Sequence, residues 1–263
     1  MERWQKFELE CTDFLNQHFG SYAKFTHKGG DDSTISDILV TTNHNSTFYI
    51  EVKFSPAQCG QFVLQPDLNS RTFIYSSKNP KPINMPAKQI IDFMNQDFDA
   101  FREAGTAGKT IAMSNAKDVF ADWIIQSYTE KGVKFFITNN FTILPIERLN
   151  DFFDISATYR IKRSGSRNVG KKEIQSVMNY INSNDYLITD TYTNQDRLFI
   201  VSPQPLHNRR FILRGTEYMF SQRHSQYELR KLSKTYHANV IFSIKKKENV
   251  IGISDSDFIK YLN

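Results

Sequence analysis

Cysteine is scarce in this chain: two of 263 residues, Cys11 and Cys59. Neither lies in a CxxC pair or beside a histidine, which argues against a disulfide framework and against structural zinc. The six histidines are scattered along the sequence. No apolar run reaches the length of a membrane-crossing helix. The opening MERWQKFELE carries acids and no apolar stretch, so no secretory signal is expected and a soluble, cytoplasmic protein is. A P-loop is missing as well: GTAGKT, residues 105–110, is too short and follows a helical pattern rather than a strand. The GxSxG elbow of serine hydrolases is absent.

What the chain does have is aromatic bulk and positive charge. Phe (22) and Tyr (12) are numerous, and 40% of residues are hydrophobic, enough to bury a real core. The formal net charge of +5 permits a polyanionic partner without requiring one. Helical spacing of Trp4, Phe7, Leu9, Phe14 and Leu15 predicts a helix over residues 3–18. Strands are expected at 35–41 and 47–54, joined by the Asn43–Ser46 turn as a hairpin. Helices are expected at 87–104 and 115–131, with Gly132 closing the second. Strands at 133–138 and 142–145 flank an Asn139–Asn140 turn. Composition shifts near Tyr159, where basic loops begin. The expected fold class is α/β (α+β), as a core region 1–155 followed by a basic, fold-completing region 156–263 that can be continuous with it.

The arc from Asp37 to Lys53 carries the chemistry. Asp37 stands at the first of two paired strands, and Glu51 and Lys53 stand in the second. Val52 points the other way, so Glu51 and Lys53 share a strand face. Hydrolysis of a phosphodiester needs an activated water, a divalent ion and compensation of charge on the phosphate. Mg²⁺ takes hard oxygen ligands, which Asp37, Glu51 and the Val52 carbonyl can supply. The Lys53 ammonium can lower the pKa of the water, orient it, or steady the transition state. The bland alternative is a solvated strand edge with a local ion pair. Against that, the triplet lies within the aromatic run FYIEVKF, where inward charges need a reason. A Gly-rich loop with Lys28, Asp31 and Asp32 immediately precedes Asp37.

This pattern resembles the PD-(D/E)xK nuclease superfamily, whose signature is an acid, a spacer, then acid-x-Lys. Ser36 stands where the signature has Pro. The resemblance implies a restriction-endonuclease-like core with a central mixed β-sheet flanked by helices. It also implies a Mg²⁺ cofactor and, on the N-terminal helix, a metal-proximal Glu that Glu8 or Glu10 can provide. Related nucleases place a catalytic Gln on the helix after the Lys strand. Gln58 and Gln61 are the candidates, with Gln61 preferred. Among branches, type II restriction endonucleases fit best. That implies site-specific cleavage of double-stranded DNA by a homodimer, with a cognate DNA methyltransferase in the same system. The alternatives are a repair or structure-specific nuclease and a catalytically silent DNA-binding protein.

DNA contacts are expected from Lys28 and from three later segments. In the first, Lys162, Arg163, Arg167, Lys171 and Lys172 surround Gly165 and Gly170, and small residues let the backbone approach phosphates. Arg163 and Arg167 can instead grip guanine edges. The second includes Arg209 and Arg210. In the third, Gln222, Arg223, His224 and Gln226 offer dense donors and acceptors for base edges. Arg230 can be a local ion pair with Glu217 or Glu228, and Lys245–Lys247 is expected at a hairpin turn.

Overall fold

The computed structural model describes residues 3–29, 35–163, 165–194 and 196–263. Asp31 and Asp32 of the Gly-rich loop lie outside the described residues. The chain opens with α1 (Arg3–Phe19), then β1 (Ala23–His27), β2 (Ile38–Thr42), β3 (Thr47–Lys53), β4 (Ala57–Asp67) and β5 (Thr72–Tyr75). Next come α2 (Met85–Asn95), α3 (Phe98–Glu103), β6 (Lys109–Thr110), α4 (Ala116–Thr129), β7 (Val133–Thr138), β8 (Thr142–Pro145), α5 (Leu149–Phe152) and β9 (Phe153–Arg163). The later part holds β10 (Ser166–Asn168), α6 (Lys171–Asn182), β11 (Asp190–Asn194), β12 (Arg197–Val201), β13 (Arg210–Leu213), β14 (Thr216–Arg223) and β15 (Gln226–Leu232). β16 (Tyr236–Lys246) and α7 (Asp255–Leu262) close it.

The architecture is mixed α/β, with a central mixed sheet flanked by helices. That sheet has the order β1-β2-β3-β7-β8. β3 and β7 run parallel and the other neighbours antiparallel. Alternation in β2 and β3 sends Ile38, Val40, Phe48, Ile50 and Val52 into one core, where they meet Phe7, Cys11, Leu15 and Phe19 of α1. These four helix residues recur every fourth position and form the buried stripe. Trp4 and Leu9 fall off it and are exposed, contrary to the expected apolar face. α7 covers the same core with Phe258 and Leu262. Its start is marked by Ser254, whose hydroxyl accepts a hydrogen bond from the Asp257 amide at 3.1 Å, a cap written in the sequence as SDSD.

A second sheet, β5-β4-β16-β9-β6, packs on α2 and α4. The Trp123 ring of α4 stacks on Phe242 of β16 with centroids 4.1 Å apart. The single helix expected over 87–104 is broken into α2 and α3 by Gln96 and Asp97. Lys245–Lys247 is no hairpin turn. Lys246 ends β16, and its Nζ donates to Thr142 Oγ1 at 2.8 Å.

By compactness the chain divides at Ile161/Lys162 rather than at 155/156. Residues 162–237 form one unit, and 238–263 return to the first because β16 pairs with β4. The second unit is built on the sheet β11-β12-β15-β14-β13, with β10 also paired to β15. Its core gathers Val177 and Ile181 of α6 against Ile200, Phe220 and Leu229.

Gly60 sits where β4 slips register against β16, with a positive φ of 92°. A Cβ there would meet the Trp123 ring at 2.7 Å. Gly60→Ala is expected to destabilise the first unit by about 1–3 kcal/mol, from backbone strain and overpacking. Urea denaturation checks this, and an unchanged midpoint would contradict it.

Candidate active site

β2 and β3 pair with Ile38 opposite Ile50, a register that continued by one residue sets Asp37 opposite Glu51. Asp37 lies just before β2 rather than inside a strand, as the expected 35–41 strand begins at Ile38. Its Oδ2 accepts a hydrogen bond from the Val52 amide at 2.8 Å. On the opposite face of β3 from Val52, Lys53 Nζ donates to Glu51 Oε1 at 2.7 Å, and both side chains are largely buried. The ammonium lies 5.5 Å from the centre of the Tyr128 ring on α4. The structure thus brings Asp37, Glu51, Val52 and Lys53 together.

The end of β3 is fixed by its parallel neighbour. Thr138 Oγ1 donates to the Lys53 carbonyl at 2.6 Å. The Asn139 amide brackets Ser55, accepting from its backbone N–H at 2.8 Å and donating to its carbonyl at 2.9 Å. From β16, the Lys246 amide donates to Ser55 Oγ at 2.7 Å. The sequence marked Asn139 as a turn residue, but its partner lies 84 positions earlier, which no local pattern reveals.

The two helix acids separate clearly. Glu10 is exposed and pairs with Lys6 at 3.3 Å. Glu8 is buried, with Oε2 3.0 Å from His27 Nε2. Gly29 approaches the same carboxylate so closely that a Cβ would sit 2.4 Å from it. The Lys28 and Gly29 amides donate to the Asp37 carbonyl at 2.7 and 3.0 Å. His27 and Tyr128 were not singled out from sequence, since a lone histidine and a helical tyrosine carry no motif.

Gln61 is placed differently from the expectation. It lies on strand β4, not on a helix, because residues 57–67 pair with β16 on one side and β5 on the other. Its side chain is exposed and accepts from Gln58 Nε2 at 3.4 Å. The Ser36 hydroxyl is buried and has no hydrogen-bond partner among the described residues.

Electrostatics follow from crowding. Burial pushes the Asp37 pKa up to about 7, helped by the Glu51 charge and opposed by Lys53 and the Val52 amide. Burial works against the Lys53 ammonium, but Tyr128, Glu51 and Asp37 outweigh it and hold that pKa above the ordinary lysine value. Burial raises the Cys59 thiol to about 12, so it stays protonated and is a poor nucleophile or ligand. Asp37, Glu51 and the Val52 carbonyl are hard oxygen donors gathered at one end of the β2–β3 pair. Among the described residues no cluster of three or more His, Cys, Asp or Glu could hold a metal.

The expected DNA-contacting residues, apart from Lys28 after β1, fall in the second unit. Several are held internally. Arg163 bonds Glu217 and the Tyr236 hydroxyl, the latter from Nε at 3.0 Å. Lys171 meets Asp196 at 2.9 Å, and Arg210 meets Glu217 at 3.5 Å. Arg230 pairs with Glu228 and not with Glu217. Lys162, Arg167, Lys172 and Arg209 are exposed and form no ion pair among the described residues. Gln222, Arg223, His224 and Gln226 cluster at the tip of the β14–β15 hairpin, where Arg223 pairs with Gln226. Gln226 Oε1 accepts from the Tyr192 hydroxyl.

A mixed sheet whose paired strands carry two acids and a lysine is the arrangement of a PD-(D/E)xK nuclease. Among solved structures, HhaI endonuclease in complex with DNA is 36% identical to this chain, with 99% of each chain covered and a TM-score of 0.85. The chain belongs to the HhaI-like restriction endonucleases of PD-(D/E)xK type. No family model and no curated protein matches it.

Because the folded pKa of Asp37 lies above its ordinary value of 3.8, the native state binds the extra proton. Its stabilising contribution is present below that ordinary value and lost as pH rises through about 7. In a chelator, the urea midpoint of the wild type is expected to fall over this window more than that of Asp37→Asn. Parallel pH profiles for the two proteins would contradict it.

Proposed function

We propose that this protein is a Mg²⁺-dependent type II restriction endonuclease that hydrolyses phosphodiester bonds at a specific sequence in double-stranded DNA. One observation carries the reading: Asp37, Glu51 and Lys53 meet at one end of the β2–β3 pair, in a chain similar throughout to an endonuclease solved with DNA.

Asp37, Glu51 and the Val52 carbonyl would hold the cation. When bound, Mg²⁺ supplies positive charge against the negative charge that gathers on the attacked phosphate. The Val52 amide fixes the Asp37 carboxylate, so its direction is set before substrate arrives. Glu51 holds the Lys53 ammonium in its charged form. Lys53 therefore acts as a donor and a charge, orienting the attacking water and the phosphate oxygens, rather than as a base. The water oxygen bonds to phosphorus as the bond to the leaving 3′ oxygen breaks; the water gives up a proton to solvent, and the departing 3′ oxygen takes one from solvent. Buried Glu8, steadied by His27, is the helix acid that completes the negative side of the site, and Glu10 is not.

The second unit supplies the greater part of the DNA contact, through Lys162, Arg167, Lys172 and Arg209 to phosphates and the β14–β15 tip to bases. Two strands require two hydrolytic events, which a homodimer delivers in one encounter. A DNA methyltransferase of the same specificity is the expected companion. The same reading places the protein in the cytoplasm; among the described residues no helix is long and apolar enough to cross a membrane.

Digestion of long duplex DNA with Mg²⁺, followed by sequencing of the ends, tests the proposal. Discrete fragments with one shared end sequence are expected, and a smear would overturn sequence specificity. Asp37→Ala and Lys53→Ala are each expected to lower the single-turnover cleavage rate by about 100-fold or more. Equal rates for Asp37→Ala and wild type would remove Asp37 from the site.

A further inference from the structure

The Lys53 ammonium needs a fixed position, yet the acid beside it has a second duty. Glu51 Oε1 accepts from Lys53 Nζ at 2.7 Å, and the same carboxylate is one of the oxygen donors proposed for the cation. A carboxylate shared with a cation holds an ammonium less firmly. Lysine is a point charge on a flexible four-carbon stem, so its head stays in place only while something holds it. An anchor that ligates no metal would keep it there throughout the reaction.

Tyr128, near the end of α4, makes that second contact. Its ring centre lies 5.5 Å from Lys53 Nζ, and its hydroxyl is a hydrogen-bond partner of the same ammonium. An ammonium has three N–H donors. Among the described residues, Glu51 and Tyr128 engage two of them. The third remains for a phosphate oxygen or a water.

The tyrosine is itself held. It is buried, and its ring meets Phe136 of β7 edge-on with centroids 5.1 Å apart. Lys131 Nζ lies 5.3 Å from the ring centre. The hydroxyl also meets the thiol of Cys59, a fully buried residue of β4. A phenol has one proton to donate and lone pairs to accept with, so it can accept from Lys53 and still donate to sulfur. Burial holds the Tyr128 pKa well above its ordinary value, so the hydroxyl stays protonated. Packing alone does not call for a hydroxyl here, since Phe120, Phe136 and Phe153 fill the same cluster without one. A buried hydroxyl is costly unless it is paired, and Lys53 is the charged partner it finds.

We propose that Tyr128 is a positioning residue of this enzyme: its hydroxyl, fixed by the core around α4, holds the Lys53 ammonium in place while Glu51 serves the cation. The proposal rests on the nuclease reading given above.

The test is a double-mutant cycle in the full chain. Tyr128→Phe keeps the ring and removes only the hydroxyl, and Lys53→Met keeps an unbranched side chain and removes its charge. In chelator and without DNA, urea unfolding of the four proteins measures the contact itself. Tyr128→Phe is expected to raise the unfolding constant by about 10-fold or more in the wild type, and by clearly less in the Lys53→Met background. With Mg²⁺ and the target duplex found by end sequencing, Tyr128→Phe is expected to lower the maximal single-turnover rate by about 10-fold. The enzyme concentration giving half that rate is expected to stay unchanged. Adding Tyr128→Phe to Lys53→Met is expected to slow cleavage no further. If Tyr128→Phe changes stability but not the maximal rate, Tyr128 is a packing residue, and the proposal falls while the nuclease reading stands. Equal rate losses in both backgrounds would show an action that bypasses Lys53 and would overturn it too. A wild type that cuts no duplex DNA would overturn the nuclease reading and this one with it, even where the urea cycle shows the two residues coupled.

Discussion

The hydrogen bond from the Val52 amide to Asp37 is the hinge of the β2–β3 end that gathers Asp37, Glu51 and Lys53. It uses a strand donor to hold a carboxylate beside Glu51, against the repulsion of two like charges in a partly dry place. That arrangement persists because the backbone around it is over-determined. β3 is paired on one side with β2 and on the other with β7, and its exit is tied down by Thr138, Asn139 and the Lys246 amide. Two carboxylates are thus held close together in the folded protein. Strain of this kind is found where function needs preorganisation and the surrounding fold can bear it.

The meeting of Asp37, Glu51 and Lys53 was legible because its logic is local. Asp37, Glu51 and Lys53 lie within one hairpin, whose period-two alternation fixes which side chains share a face. The elements around it were legible for the same reason: β7, β8 and their Asn139–Asn140 turn appear where apolar runs and turn residues place them. What escaped was non-local. Residues 57–67 look broken at Gly60, yet they form one long strand because β16, almost two hundred residues later, pairs across the bulge. That pairing is also why Gln61 lies on a strand. Tyr128 and Asn139 reach the site from other elements, and no motif marks them.

Basic residues after Tyr159 show a different limit of sequence reading. Composition marks a charged region but not how the charges are used. Arg163, Lys171, Arg210 and Arg230 all face acids of the same unit. Their charge goes into holding the unit together as much as into meeting a partner. Positions such as Arg167 and Arg209 keep theirs in solvent. The distinction depends on which acids the fold brings near, and Glu228 shows it most sharply: in YELRKL it reads as a candidate local ion-pair partner of Arg230, and the fold makes it the buried centre of an arginine pair.

The route of the chain has a further consequence. β16 lies between β4 and β9 in the second sheet, and the whole of residues 162–237 is threaded between β9 and β16. A nascent chain that has emerged only through β9 therefore has two strands waiting for a partner that does not yet exist. The same missing strand carries the amide that secures Ser55 just beyond Lys53. Long-range pairing of this kind closes late, after the intervening segment has been made. Asp37, Glu51 and the strand that completes their scaffold are separated in the chain by the whole of residues 162–237. A ribosome thus finishes residues 162–237 before the second sheet can close, and an interrupted product is left without its middle strand.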